Sequence, residues 1–308
     1  MKYIYLLFLT LTVNACSQPL PQGVQTIGFA FTNPANATST EQEANLLSVL
    51  QARLNAFYEH PVKLQKVADN EYEMLIPGQI DENLLSLITT TPGNLFFAET
   101  LTGEDAAQAF RGAGLAEKLA EKLQYAGPSP QFNDPVIGFA LPKDTAFISA
   151  EIKRAALLGI IPGELSHAWG QVPIANTYEK ADYLTLYAIR KVEGLYQGIK
   201  GKSIILAKAE PDQIGRWAIN MRFDDPGANK WAEMTEDRVN DFIAMLIDGK
   251  AWSVPKVNSP ITGGQTMLSA DFEQTYAETW AAILQGGRLP AAINMTKLNF
   301  NPAGVFEP

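Results

Sequence analysis

Phe242-Ile243-Ala244-Met245-Leu246-Ile247, then Asp248-Gly249, then Lys250-Ala251-Trp252-Ser253-Val254-Pro255, is the stretch whose reading decides the fold. Two apolar runs flank an Asp-Gly pair, the residue pair best able to take the two positive φ angles of a tight β-hairpin turn. Ile261-Thr262-Gly263-Gly264 follows, then a short strand-like run from Gln265 to Ala270. After it, Phe272, Tyr276, Trp280, Ile283 and Leu284 recur at helical spacing. Gly286-Gly287 ends that helix, and Leu289-Pro290-Ala291 leads away from it.

This order resembles the end of the first large periplasmic domain of SecD, the protein-export subunit. The family pattern there is a strand ending in Leu-Asp-Gly, a Ser-Ala-Pro, an Ile-x-Gly-Gly, an Ile-x-Gly-x-Phe and a helix ending in Gly-x-x-Pro. Three departures stand out: Ile247 intervenes before Asp248, Val254 replaces the Ala before Pro255, and Ala270 replaces a Gly. An alanine there gives up the positive φ or close backbone approach that glycine permits.

Working toward the N-terminus, the resemblance reappears in Arg53-Leu54-Asn55, in Ile76-Pro77-Gly78, and in Gly227-Ala228 with Trp231-Ala232 and Thr235. It is weakest from Glu104 to Leu184. Thr26–Phe31 alternates as a strand, and Leu47, Leu50, Leu54 and Phe57 line a helix. Val62–Val67 and Tyr72–Ile76 flank an Asp69-Asn70 turn. Asp81 caps a short helix, and Asn94–Glu99 is a further strand. Strand, helix, strand, strand, helix, strand is the split βαβ order of a ferredoxin-like fold. The expected class is therefore α+β, a ferredoxin-like base (25–100 plus 289–308) carrying a large inserted α+β head (101–288). Ala292–Phe300 is expected to complete the base sheet. In the head, Glu104–Gln124 and Ala146–Leu158 read as helices, and Tyr183–Ala188 reads as a strand. Ile160–Pro173, with no regular period, reads as loop. The resemblance implies a head that swings on its base, which makes Gly103, Gly286 and Gly287 the candidate hinges at the two crossings.

Composition sets the bounds. The chain has 308 residues, 46% apolar, with a net charge of −9, which gives no support to nucleic-acid binding. Lys2, the apolar run Tyr3–Val13 and Ala15 directly before Cys16 form a targeting segment. It resembles a bacterial lipoprotein signal, which implies removal of residues 1–15, a lipid on Cys16 and a tether over 16–24. Ser17 is not the Asp that retains many lipoproteins in the inner membrane, which points to the outer one. Cys16 is the sole cysteine, so no internal disulfide forms. Nothing after it is apolar for the roughly 20 residues a bilayer requires.

Catalytic patterns are hard to assemble. There is no Gly-x-Ser-x-Gly, Ser-x-x-Lys, His-Glu-x-x-His or phosphate-binding glycine loop. His60 and His167 fall in different predicted subdomains and share no metal-ligand spacing. Asp224-Asp225-Pro226-Gly227 reads as a turn entering a helix, with Asp225 as its cap. Trp217, Trp231, Trp252 and Trp280 read as core. No cofactor, metal or catalytic group is expected. Two function classes stand: a periplasm-facing, lipid-held binder of unfolded or translocating polypeptides or of Sec or envelope complex components, and an envelope enzyme built from scattered polar groups. For the binder, the densest family motif names the candidate client-contact residues Trp252, Ser253, Pro255, Ile261, Gly263 and Gly264.

Overall fold

The computed structural model describes residues 22–32, 40–58, 60–127, 133–176, 181–192, 195–196 and 198–306. Cys16, the signal segment and most of the tether lie outside the described residues. The architecture is mixed α/β. In chain order the elements are β1 (Val24–Phe31), α1 (Thr40–Phe57), β2 (Lys63–Ala68), β3 (Glu71–Pro77), α2 (Glu82–Thr90), β4 (Leu95–Glu99), α3 (Gly103–Gly112), α4 (Leu115–Leu119), β5 (Gln124–Tyr125), β6 (Val136–Ala140) and α5 (Thr145–Leu157). There follow β7 (Leu165–Trp169), β8 (Ile174–Asn176), β9 (Ala181–Val192), β10 (Leu195–Tyr196), β11 (Gly198–Lys200), β12 (Ile204–Pro211), β13 (Trp217–Phe223), α6 (Asp225–Asp237), β14 (Ile243–Ile247), β15 (Lys250–Ser253), β16 (Gln265–Phe272), α7 (Gln274–Gly286) and β17 (Ile293–Asn301).

The first sheet has the order β17-β1-β3-β2, with every pairing antiparallel. Alternation puts Ile27, Phe29 and Phe31 of β1 inside, where they meet Leu46, Leu50 and Leu54 of α1 and Leu85 and Ile88 of α2. Each such side chain contributes about 1.5–3 kcal/mol on burial. The β2–β3 turn places Asn70 at φ 57, and its Oδ1 accepts from Phe31 N at 3.1 Å, tying the turn to β1.

Sheet membership corrects one expectation. Leu95–Glu99 is a strand, but it belongs to a second sheet, β11-β4-β14-β15, and the fourth strand of the first sheet is β17. Both faces of β4 are covered: Phe97 enters a core with Met245 and Trp231, while Phe96 and Ala98 enter another with Ala168 and Ile189. A strand buried on both faces carries no alternation to reveal its partners. The third sheet, β12-β13-β16, lays Ile219, Met221 and Leu268 in the same core as Ala277, Trp280 and Leu284 of α7. The fourth gathers β5, β6, β7, β8 and β10 around β9, with α3, α4 and α5 packed on it. Its β7 lies within the stretch expected as loop, pairing Leu165–Trp169 with Arg190–Leu186.

The quoted stretch supplies the centre. Asp248 and Gly249 take φ 51 and 79, the two positive angles of the expected turn. Buried residues Ala277, Thr279 and Trp280–Leu284 surround α7 almost completely, so it joins the helices of the first sheet to the third sheet. Of the four tryptophans read as core, Trp231, Trp252 and Trp280 are buried and Trp217 is half-buried against the same core.

Candidate functional site

Two features of this arrangement bear on function: a buried junction that fixes α7, and the sheet surface that α7 leaves open. Arg53 forms the first. Its side chain is 0% exposed and donates from Nε to Gly287 O at 3.0 Å, from Nη1 to Ile88 O at 2.8 Å and Thr91 O at 2.7 Å, and from Nη2 to Pro92 O at 2.8 Å and Gly287 O at 2.5 Å. These carbonyls end α2 and α7, where the backbone lacks intrahelical donors and the helix dipoles are negative. A buried cation is thus held by five hydrogen bonds to four oriented carbonyls. Burial lowers its pKa from 12.5 to about 10 against the raising pull of Asp248, leaving it charged at neutral pH. Asp248 in turn accepts from Gly93 N at 3.1 Å and Asn94 N at 2.8 Å. The Arg53-Leu54-Asn55 motif therefore works as a clamp joining α1, α2, the 91–94 loop, the β14–β15 turn and the end of α7.

The candidate hinges sit in close packing. A Cβ on Gly286 would lie 2.7 Å from Arg53 N, and one on Gly103 would lie 1.9 Å from Val136 O. Glycine serves at both positions for approach of one backbone to another; Gly287 keeps φ 85.

The candidate client contacts divide. Trp252 is 9% exposed, its ring 4.4 Å edge-on to Trp280 and 6.0 Å from Phe272, so its reading as a contact surface is corrected: it is core. Ser253 is half-buried and pairs with Met245, and Gly264 is buried with its carbonyl accepting from Phe223 N at 2.9 Å. Pro255, Ile261 and Gly263 reach solvent; Ile261 N donates to the buried Thr235 Oγ1 at 2.9 Å.

That Ile261–Gly264 turn feeds directly into β16 and the second feature, the face of β12-β13-β16 away from α7. Cross-strand register sets Lys208, Asn220 and Met267 in one row and Leu206, Arg222 and Gln265 in the next. They line a groove of about 510 Å³. Met267 is 42% exposed, and Asn220 Nδ2 donates to Glu210 Oε2 at 2.9 Å. Gln285 of α7 occupies the outer edge of β12, its Oε1 accepting from Ala207 N at 2.6 Å and its Nε2 donating to Ile205 O at 3.3 Å. Strand addition at that point of the edge is blocked, while the face stays open. Sequence reading missed this surface: its one local signal is the polar alternation of Asn220 and Arg222 along β13.

Asp224, rather than Asp225, caps α6, accepting from Gly227 N at 2.8 Å. Among the described residues no three His, Cys, Asp or Glu side chains are placed to share a metal ion. No helix among them is long and apolar enough to cross a membrane.

Residues 186–291 match the family described as SecDF, P1 head subdomain. The protein translocase subunit SecD of Acidaminococcus fermentans is 34% identical over 99 residues, 32% of this chain and 24% of that protein. SecD of Rhodothermus marinus is 23% identical over 197 residues, 64% of this chain and 31% of that protein. The chain thus spans about a third or less of the length of the curated relatives it matches. Among solved structures, SecDF in its super-membrane-facing form shares the fold at TM-score 0.54 and 19% identity, over 91% of this chain and 31% of that one. A second SecDF structure, of a membrane component that enhances protein export, shares it at TM-score 0.50 and 18% identity over 89% of this chain and 99% of that one.

Proposed function

We propose, from the premise that this chain is a SecD periplasmic-domain-like protein, that it faces the periplasm, is held to a membrane by a lipid on Cys16, and holds unfolded or translocating polypeptide on the open face of the β12-β13-β16 sheet. The observation that carries this reading is the match to the P1 head subdomain over 186–291, which contains all three of those strands. The rows Lys208-Asn220-Met267 and Leu206-Arg222-Gln265 offer apolar, amide and charged contacts side by side. Such a surface suits many sequences and few tightly, because an extended client loses conformational entropy on binding. The client contact lies next to Ile261 and Gly263 and excludes Trp252.

In this reading the β17-β1-β3-β2 sheet with α1 and α2 is a ferredoxin-like base, supported by its strand order and its two crossovers, and the chain between β4 and α7 is the inserted head. The six residue steps from Cys16 to Gln22 span at most about 20 Å, so the lipid holds the base close to the bilayer, and Ser17 favours the outer membrane. Several acyl chains on one cysteine make a stable anchor, whereas a single chain binds marginally.

Titrating residues 18–308 with an unfolded periplasmic polypeptide tests the holder. Saturable binding that Met267→Asp weakens and Lys250→Gln leaves unchanged is expected. No binding, together with a specific folded partner in a pull-down, assigns a scaffold role instead. Cys16→Ser is expected to release the protein from the membrane fraction, and retention there would overturn the anchor.

A further inference from the structure

The end of α5 and the turn after it read Leu157-Leu158-Gly159-Ile160, and the three large apolar side chains are 88%, 60% and 47% exposed. Single exposed leucines are common on protein surfaces, but three around one turn are not what a fold leaves out without a use. The core side of α5 lies elsewhere, at Ile148, Ile152 and Ala155, which are buried against the fourth sheet. Ser149 fastens the helix to β7: its Oγ accepts from Trp169 Nε1 at 2.8 Å and lies 2.9 Å from His167 Nε2, in the wall of a polar cavity of about 480 Å³. The tip is equally fixed. Gly159 takes φ 67, its N–H donates to Ala156 O at 3.0 Å, and Ile160 N donates to Ala155 O at 2.9 Å, the two closing bonds of a Schellman helix end. With Leu158 N on Arg154 O at 3.1 Å, the carbonyls of residues 154–156 are satisfied within the chain. A rigid helix end therefore holds the apolar side chains out.

Among the described residues, a Cβ added at Gly159 or at Gly163 would meet no atom within 4 Å, so the turn is a convex tip with open space around it. Val192, 43% exposed, widens the same end of the sheet, since Lys191 N donates to Glu164 O at 2.8 Å. A convex tip offers a polypeptide or a second copy no complementary walls, whereas a bilayer interface requires none. Charge selects the kind of bilayer. In a chain of net charge −9, the only charged residues from 152 to 163 are Lys153 and Arg154, both exposed. Helix rise sets them about 4–6 Å behind Leu157, which matches the roughly 5–10 Å to which an interfacial apolar face is buried, with its cations at the headgroups. The flanking carboxylates are engaged: Glu151 with Lys118 at 2.6 Å and Arg154 at 3.1 Å, and Glu164 with Arg190 at 3.3 Å. The Arg154 pair is surface-exposed on the arginine side, 53%, and yields readily to a phosphate.

We propose that the tip of α5 is a membrane-docking point, at which Leu157, Leu158 and Ile160 enter the interface of an anionic bilayer while Lys153 and Arg154 stay among its headgroups. The contact is reversible and independent of any lipid on Cys16.

With Cys16→Ser the full chain has no other thiol, so a nitroxide on Leu158→Cys or on Ile214→Cys reports one place. Ile214, 74% exposed in the β12–β13 turn, is the control for a lone exposed apolar residue. Depth is read locally, so a contact of lipid with the apolar run Tyr3–Val13 does not mimic the result. On vesicles of equal parts phosphatidylglycerol and phosphatidylcholine, the label at 158 is expected to gain collisions with oxygen and lose them with a water-soluble nickel chelate, while the label at 214 stays aqueous. Lys153→Gln with Arg154→Gln, and separately vesicles of phosphatidylcholine alone, are expected to lower the ratio of inserted to aqueous label at least tenfold, the double variant at an unchanged melting temperature. A label at 158 that stays aqueous, insertion that survives the double substitution or is equal in uncharged vesicles, or equal insertion at 214 overturns the proposal. Protection of 158 without lipid, growing with protein concentration, assigns the tip to a second copy and overturns it too.

Discussion

The Arg53 junction and the segment from α3 to β9 both join elements distant in sequence, and they do so by different means. At the junction, one guanidinium reads four backbone carbonyls, one of them 234 residues away, and Gly286 lets α7 approach the backbone of α1. Between α3 and β9, side chains do the joining: Phe110, Leu119, Ile148 and Leu186 interlock in one core, and Lys118–Glu151 at 2.6 Å and Lys122–Asp144 at 3.1 Å pair at the surface. A junction of backbone groups and missing Cβ atoms admits few residue choices, whereas a side-chain core accepts volume-conserving exchanges. The SecD-like motifs cluster at the first and thin out in the second.

This contrast breaks down if substitutions in the two regions act alike. Arg53→Met strands four buried carbonyls and is expected to lower stability by about 3–5 kcal/mol in urea unfolding. Arg53→Lys should recover little, because three donors on one nitrogen cannot replace a planar fork reaching four acceptors. Gly286→Ala places a methyl group against Arg53 and is expected to cost about 1–3 kcal/mol.

In the second region the effects are smaller. His167 is neutral in the fold down to about pH 4, while the unfolded chain takes up its proton near 6.5. Between those values the unfolded state binds more protons, so stability is full above pH 6.5 and falls as the pH drops toward 4. Allowing for residual solvent contact, the loss is about 1–2 kcal/mol, read as a urea-midpoint difference between pH 7 and pH 5 that His167→Gln abolishes. Thr102→Ala removes the cap of α3, whose Oγ1 accepts from Asp105 N at 3.0 Å, and should cost about 1 kcal/mol.

Legibility in the sequence follows the same divide. The Asp248-Gly249 turn and α7 announce themselves, because a positive-φ pair and a helical period are local signals. Arg53 is visible only through family likeness, since nothing near it in sequence tells that its acceptors lie at residues 88–92 and 287. The sheet of β4 is hidden because both its faces are buried, and β7 is hidden because Ser166, His167 and Trp169 face a polar cavity and break the alternation. Trp252 carried both a core and a contact reading: an aromatic ring in a dense motif is equally the mark of a core, and here it closes one. The open face of β12-β13-β16 is a property of three strands in register, which no single strand encodes.

The most direct test of that face sets it against the second region. A photo-crosslinking residue at Met267, 42% exposed, is compared with one at Leu157, 88% exposed, while a secreted protein is being exported. The account predicts crosslinks to the extended chain from Met267 and few from Leu157, against the order that exposure alone would give. Crosslinks from Leu157 with none from Met267 would contradict it.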